Sequence, residues 1–326
     1  MAEIVLGLGT SHSPQLSTPP HQWSLRAEID RRNPKLLWQD GEYYKFDELM
    51  AKVDSSEIAK EITEDKFQRR WQECQDGIDK VSEALADEAP DVVILLGDDQ
   101  EEVYLTDNMP AINVYWGESV LQIPRPHSNN AAAQAAQWAY GDKERSVPVA
   151  HELGLHVIQS LMEDEYDIAL SKHLRPGRGI GHAWTFAFHR VRREKLVPVI
   201  PIHINTYSPP NQPTVERCWE LGEAVRRAVQ SWKGNERVAV MSSGGLSHFV
   251  VLEDFDRGIV AAMRERDGDT LRKLPDHMFK SGTSEIKSWI TMTAATQHLD
   301  TKWLDYVPCY RSEAGTGCGM AFGQWS

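Results

Sequence analysis

Apolar positions along this chain fall into two patterns. Short unbroken runs occur at Ile4-Val5-Leu6, at Val92 to Leu96 and at Val238 to Met241, and each reads as a strand buried on both faces. Ala111 to Trp116 and Asp167 to Leu170 read as further strands, and the Gly-rich, then apolar run Tyr310 to Gly323 as a loop leading to a last one. Val197 to Asn205 has strand composition but carries Pro198 and Pro201, which predicts an edge or irregular strand. The second pattern is helical. Phe67, Trp71, Cys74, Ile78, Val81 and Leu85 recur at alternating spacings of four and three, with Thr63 or Asp65 as a cap and Pro90 just past the end. Similar stripes predict helices from Val149 to Tyr166, where His156 reads as a packing histidine, from Pro213 to Trp232, and near Asp254 to Arg266. A further helix starts near Ser281 to Trp289, with Ser281 or Thr283 as its cap.

Strands alternating with helices predict an α/β protein, a single core domain over 1–326 with a central mixed sheet flanked by helices. Residues 16–63 break the pattern. They are rich in charge and carry Pro19-Pro20, Trp23, Trp38, Tyr43, Tyr44 and Phe46. They read as an inserted, partly helical N-terminal segment, either a lid over a pocket or a surface appendage or oligomer contact.

Composition narrows the function. With 326 residues, 25% charged and 41% hydrophobic, the chain has the make-up of a globular domain with a large core. A net charge of -13 argues against nucleic acid or an anionic membrane as a general partner, though a local Arg can still hold an anionic small molecule. No apolar run approaches the ~18 residues of a membrane span, and the first residues lack the pattern of a secretory signal. Cys74, Cys218, Cys309 and Cys318 are scattered and form no CxxC pair, which disfavours structural zinc and predicts reduced thiols in a cytoplasm.

Chemistry gathers at strand ends. Gly7-Leu8-Gly9-Thr10-Ser11-His12 and Ser242-Ser243-Gly244-Gly245-Leu246-Ser247-His248 share one design, a buried strand, a small-residue turn and a presented imidazole. Ser247-His248 is not a nucleophile–base pair, because sequence neighbours rarely form one and no GxSxG elbow is present. Gly97-Asp98-Asp99-Gln100-Glu101-Glu102 follows the Val92–Leu96 strand and is either a solvated loop with capping acids or a ligand loop beside His12. A Gly-rich loop from Arg175 delivers His182, and the stretch Pro124 to Asn130, with Arg125 and His127, has loop composition. Glu285 suits a first helical turn as an acid at the positive dipole end; alternatively it points into the site as a carboxylate ligand.

Together these pieces resemble the class III extradiol ring-cleavage dioxygenases, of the type of the protocatechuate 4,5-dioxygenase catalytic subunit, and are closer still to the single-chain gallate and 3-O-methylgallate members. The resemblance rests on Gly9-Thr10-Ser11-His12, Pro90 to Gln100, Leu153 to Asp167, Gly181-His182, Asn205 to Pro210, Gly244 to His248 and Ser281 to Glu285, in the family's order along most of the chain. It implies an Fe(II) cofactor held by two His and one carboxylate with open positions for a catechol and O₂. It places His12 and Glu285 among the metal ligands, His248 as the active-site base and His182 in the substrate pocket. The implied partners are a small aromatic substrate and O₂, with no nucleic acid or membrane, and a homodimer would suit such a fold.

One departure stands out. Where the family has Asn-Asp-His, this chain has Asp98-Asp99-Gln100, so Gln100 takes the place of the second His ligand. Gln100 then ligates the metal or holds a ligating water, or Asp98 or Asp99 substitutes, or the chain has lost iron and serves as a binding or companion subunit. In methylgallate-type members a Gln can stand here too, which favours an enzyme. Alternation in an extended segment puts Asp98 and Gln100 on one face and Asp99 on the other. A substrate carboxylate calls for a cation, preferably a bidentate Arg; Arg311 is the first candidate and Arg125 the second. Tyr207 and Trp184 either border the ring or belong to the core. The expected activity is extradiol opening of a catecholic or gallate-type acid; a metal-dependent hydrolase is the competing enzyme reading.

Overall fold

A computed structural model describes residues 1–125, 135, 138–191 and 197–326; His127 lies outside the described residues. The run Ile4 to Leu8 forms the strand β1 (Glu3–Thr10). The other strands, in chain order, are β2 (Leu36–Leu37), β3 (Tyr43–Tyr44), β4 (Val92–Gly97), β5 (Ile112–Tyr115), β6 (Ser119–Gln122) and β7 (Arg145–Pro148). They continue with β8 (Ala169–Ser171), β9 (Val199–Ile204), β10 (Arg237–Ser243), β11 (His248–Val250), β12 (Thr301–Tyr310) and β13 (Thr316–Trp325). Among the described residues the main sheet runs β11-β13-β1-β10-β4-β9-β5-β8, with β12 on β13, while β2–β3 and β6–β7 are separate ribbons. The strands β1, β10, β4 and β9 are parallel neighbours, and β13 closes the pattern antiparallel to β1. The sheet is therefore mixed, as the sequence pattern predicts.

Alternation divides the core into two layers. Val92, Ile94 and Leu96 face one side of the sheet, packed with the helices His151–Glu163, Val215–Ser231, Glu253–Glu265 and Ile286–Ala295. Val93 and Leu95 face the other, with Phe67, Cys74, Ile78 and Val81 of the helix Glu64–Glu88. That helix starts where the sequence places its cap, with the Thr63 hydroxyl accepting from Lys66 N, and none of the described helices is long and apolar enough to cross a membrane.

Two expectations need correction. The proline-bearing strand is interior: β9 lies between β4 and β5. Pro201 is tolerated because β5 pairs with Ile202 to Ile204 and Val149 bridges Val199, so the missing N–H falls between two partners. The expected Ser281 or Thr283 cap is also absent; residues Ser281–Glu285 form a 3-10 turn that leads into the helix Ile286–Ala295. The Thr283 hydroxyl instead accepts from His248 N at 3.2 Å and donates to His248 O at 3.1 Å, which ties the two loops together.

Residues 16–63 fold into short pieces, including the helices Trp23–Asp30, Phe46–Met50 and Ser55–Glu61. They are anchored by the buried side chains of Trp23, Leu36, Leu37, Phe46 and Leu49. Elements this short hold too few repeats of the helix or strand period to be read from sequence, so the stretch has no readable pattern.

Candidate active site at the carboxyl ends of the parallel strands

The register puts the carboxyl ends of β1, β10 and β4 side by side, with Thr10 opposite Ser243 and Ser242 opposite Leu96. Loops leaving adjacent parallel strands at this edge are the usual place for a site in an α/β sheet. Small residues are needed here because helices press close. A Cβ on Gly9 would lie 2.1 Å from the Trp289 ring, and one on Gly282 would lie 2.0 Å from the His248 ring.

His12 follows β1 directly. Ser11 fixes the turn, with its N–H donating to Ala321 O at 3.0 Å and its hydroxyl accepting from Ala321 N at 2.9 Å. The His12 Nδ1 lies 2.9 Å from Ser243 Oγ, so Nε2 is the nitrogen presented inward, 3.7 Å from Glu285 Oε2. Burial pushes the imidazole down to about 3, against the pull of Glu285, so His12 is neutral at pH 7 and keeps a lone pair to offer a metal ion. Its contact with Glu285 is accordingly not an ion pair.

Glu285 is held from several directions. Its Oε2 accepts from Gly245 N at 2.6 Å, and its Oε1 accepts from the Gln100 amide at 2.7 Å and lies 3.4 Å from His248 Nε2. Burial works against its charge, but His248 and His12 outweigh it and hold the carboxyl at about 2. The sequence left Glu285 between a helix cap and an inward carboxylate; it points inward.

Asp98 completes a cluster. One ligand atom from each of His12, Asp98 and Glu285 lies within 4.8 Å of the others, and all three residues are buried. Both Asp98 carboxylate oxygens are buried without a hydrogen-bond partner among the described residues. Burial first, and then the neighbouring Glu285 charge, push this carboxyl well above the usual carboxylate range. Two buried carboxylates facing each other beside a neutral imidazole repel in the absence of a cation and attract a divalent one strongly. These donors therefore fit a metal ion, as one nitrogen and two carboxylate ligands.

The rest of the acidic loop does other work. Gln100 and Glu101 both adopt left-handed φ, at 47° and 61°, so the chain stops being extended immediately after Asp99. Asp99 turns away and its Oδ2 accepts from Val103 N at 2.8 Å and Tyr104 N at 2.7 Å, which corrects its candidacy as a ligand. Gln100 faces the cavity, but its amide is engaged in holding Glu285.

His12 and Glu285 of the cluster form part of the wall of a cavity of ≈ 220 Å³, shared with His182, His248, Glu102, Tyr140, Arg26 and Arg311, and Asp98 lies behind them. His248 Nδ1 lies 2.8 Å from Leu246 O. A carbonyl can only accept, so Nδ1 carries the proton and Nε2, facing Glu285, is the exchanging nitrogen. Burial disfavours the His248 charge, yet Glu285 overrides it and raises the imidazole well above its ordinary value. A cation on Glu285 would take that cause away. His182 caps the cavity from the start of the helix His182–Phe186. Its Nδ1 sits 3.0 Å from Glu102 Oε2, and its ring meets His12 edge to face at 4.7 Å. Glu102 overrides burial and raises His182 to about 9, which makes it a fixed cation beside the cluster. Glu102 in turn accepts from Tyr140 and from Arg125.

The three substrate candidates lie in different surroundings. Trp184 is core: its ring is buried and its indole donates to Leu95 O at 3.1 Å. Tyr207 is half-buried and does not line the cavity. Arg311 does line it, but its Nε and Nη2 each donate to Asp30 at 2.7 Å and its Nη1 to Gln15 at 3.1 Å. This buried pair ties the segment 16–63 to the end of β12. Replacing Arg311 with Met leaves Asp30 charged and buried, and is expected to destabilise the fold by about 3–5 kcal/mol in a denaturant titration.

An α/β sheet whose parallel strands end at His12 and Asp98, with Glu285 brought beside them by the turn before the helix Ile286–Ala295, presents a donor set that fits a metal ion. The chain belongs to the family described as the catalytic LigB subunit of aromatic ring-opening dioxygenase, whose profile matches residues 58–303. This bears out the resemblance to the class III extradiol enzymes, and the family implies a metal cofactor. Curated relatives include a 2,3-dihydroxyphenylpropionate/2,3-dihydroxicinnamic acid 1,2-dioxygenase of Cupriavidus necator, 36% identical over 120 residues, or 35% of this chain and 36% of the relative. The gallate dioxygenase of Pseudomonas putida is 33% identical over 98 residues, 30% of this chain and 28% of the relative. A 2,3-dihydroxyphenylpropionate/2,3-dihydroxicinnamic acid 1,2-dioxygenase of Rhodococcus jostii is 29% identical over 164 residues, 50% of this chain and 45% of the relative. The chain thus spans less than half the length of each of these relatives.

Proposed function

We propose that this protein is an Fe(II)-dependent extradiol dioxygenase that opens the ring of a catecholic or gallate-type aromatic acid with O₂. The observation that carries the reading is the convergence of His12, Asp98 and Glu285, with Asp98 unpartnered among the described residues, beside a cavity whose wall His12 and Glu285 share with His248 and His182. His12 Nε2, Asp98 and Glu285 would hold the iron, and Gln100 and Gly245 N–H would orient Glu285. The iron would supply a redox-active cation with coordination positions left free, as one imidazole and two carboxylates do not fill an octahedron.

The protein groups divide the remaining tasks. His248, anchored through Nδ1 to Leu246 O, accepts a diol proton at Nε2 and returns it later in the reaction. His182, kept cationic by Glu102, presents positive charge where oxygen anions develop. The buried wall excludes water from the ring being opened. The buried thiols, which form no disulfide among themselves, support a reducing compartment such as the cytoplasm, and a homodimer is the expected assembly.

The test is anaerobic reconstitution followed by metal analysis and an oxygen electrode. We expect about one iron per chain, since the described residues build one such cluster, and O₂ uptake with gallate, 3-O-methylgallate or protocatechuate. An intact protein that binds no iron and consumes no O₂ with any of them overturns the reading. Turnover of an ester or amide without O₂ would assign a hydrolase instead.

A further inference from the structure

The cavity wall built by the segment 16–63 holds a charge that nothing among the described residues neutralises. Arg26, on the helix Trp23–Asp30, lines the cavity, and its Nε and Nη1 are buried without a hydrogen-bond partner. The nearest compensating acid is Asp30, which is already engaged. Its two oxygens take the bidentate pair from Arg311, and Oδ2 also accepts from Thr316 Oγ1 at 2.6 Å. Two guanidiniums thus share one carboxylate, leaving one uncompensated positive charge against the cavity. The Arg311 charge depresses Arg26, to about 10 with burial as the larger cause, but not far enough to discharge it at pH 7. The undescribed residues 126–134 and 136–137 contain no Asp or Glu.

The other cations at this cavity are occupied. Arg311 is paired as above, Arg125 donates to Glu102 at 2.6 Å and lies over the Tyr140 ring at 4.2 Å, and His182 faces Glu102. A buried guanidinium with free N–H groups is costly when empty and is the preferred planar partner of a carboxylate.

We propose that Arg26 anchors the substrate's carboxylate, so that the aromatic acid spans the cavity from the metal cluster to the Arg311–Asp30 wall. This rests on the aromatic-acid reading of the same cavity and names the residue that selects an acid over an uncharged catechol. It also gives the segment 16–63 a role as a wall of the binding site. Arg26 lies on an amphipathic helix within a stretch of irregular composition, and no sequence signal separates it from the neighbouring surface arginines.

The test is equilibrium binding, which needs no turnover. Benzoate, protocatechuate and catechol are titrated into anaerobic, Fe(II)-loaded wild type, Arg26→Met and Arg26→Lys. Benzoate carries the carboxylate without the diol, and catechol the diol without the carboxylate. Arg26→Met is expected to weaken benzoate and protocatechuate by about 10–100-fold, leaving catechol and iron content unchanged, and Arg26→Lys to retain part of the loss. Equal benzoate binding by wild type and Arg26→Met overturns the proposal, as does a failure of wild type to bind benzoate. Equal weakening of all ligands overturns it too, because it marks a structural role. Failure of the dioxygenase reading is distinguishable: protocatechuate then supports no O₂ uptake in any variant, while the benzoate titration still reports on Arg26.

Discussion

Asp98→Ala is expected to lower iron affinity by about 100-fold or more, beyond the roughly 10–100-fold typical of losing a residue that only orients a ligand. The Asp98 oxygens have no other partner among the described residues, so their removal leaves His12 and Glu285 to hold the ion alone. His12→Ala should do the same. Gln100→Ala should fall in the milder range, because its amide holds Glu285 through one hydrogen bond. Competition with a metallochromic chelator gives the affinities directly. Loss of iron in Gln100→Ala with full retention in Asp98→Ala would make Gln100 the ligand. The metal-free protein carries a second signature of opposite sign. Asp98→Asn removes a buried carboxyl group that faces Glu285, and is expected to stabilise the apoprotein by about 1–3 kcal/mol in a chelator-containing denaturant titration. A site evolved only for packing would show no such conflict between metal affinity and apoprotein stability.

His248→Ala is expected to reduce kcat by about 10²–10⁴-fold while leaving iron content near that of wild type. The reasoning is geometric. His248 Nδ1 is fixed by the Leu246 carbonyl, its backbone is held by Thr283, and Nε2 lies on the cavity side, 3.4 Å from Glu285 Oε1. Oxygen uptake and metal analysis on the same preparation separate the two effects. Loss of iron in this variant would move His248 into the ligand set and overturn its role as the base. Gly282 explains why the position is sensitive, since a side chain there would collide with the His248 ring.

Much of this site was legible in the chain. The paired strand–turn–His motifs at His12 and His248 identify themselves because a buried strand must end at the sheet edge, and small residues must follow where helices press on it. Glu285 was identified with two possible roles, and the acidic loop with several. Local sequence could not choose among them, because the choice depends on residues far apart in the chain. Asp99 leaves the candidate ligand set because left-handed Gln100 and Glu101 fold the loop back onto its own backbone. Arg311 looked like an anchor until Asp30, from a segment with no readable pattern, appeared beside it.

What the sequence by itself determined is the alternation of buried strands and amphipathic helices, and with it the α/β sheet and the strand ends that carry its chemistry. These follow from periodicity, which is local. What only the tertiary structure decided is which charges meet: Asp98 with Glu285 and His12, Glu102 with His182, Asp30 with Arg311, and Arg26 with no hydrogen-bonded acid among the described residues. Electrostatic pairing acts between residues brought together by the packing of the sheet, so no window of the sequence contains it.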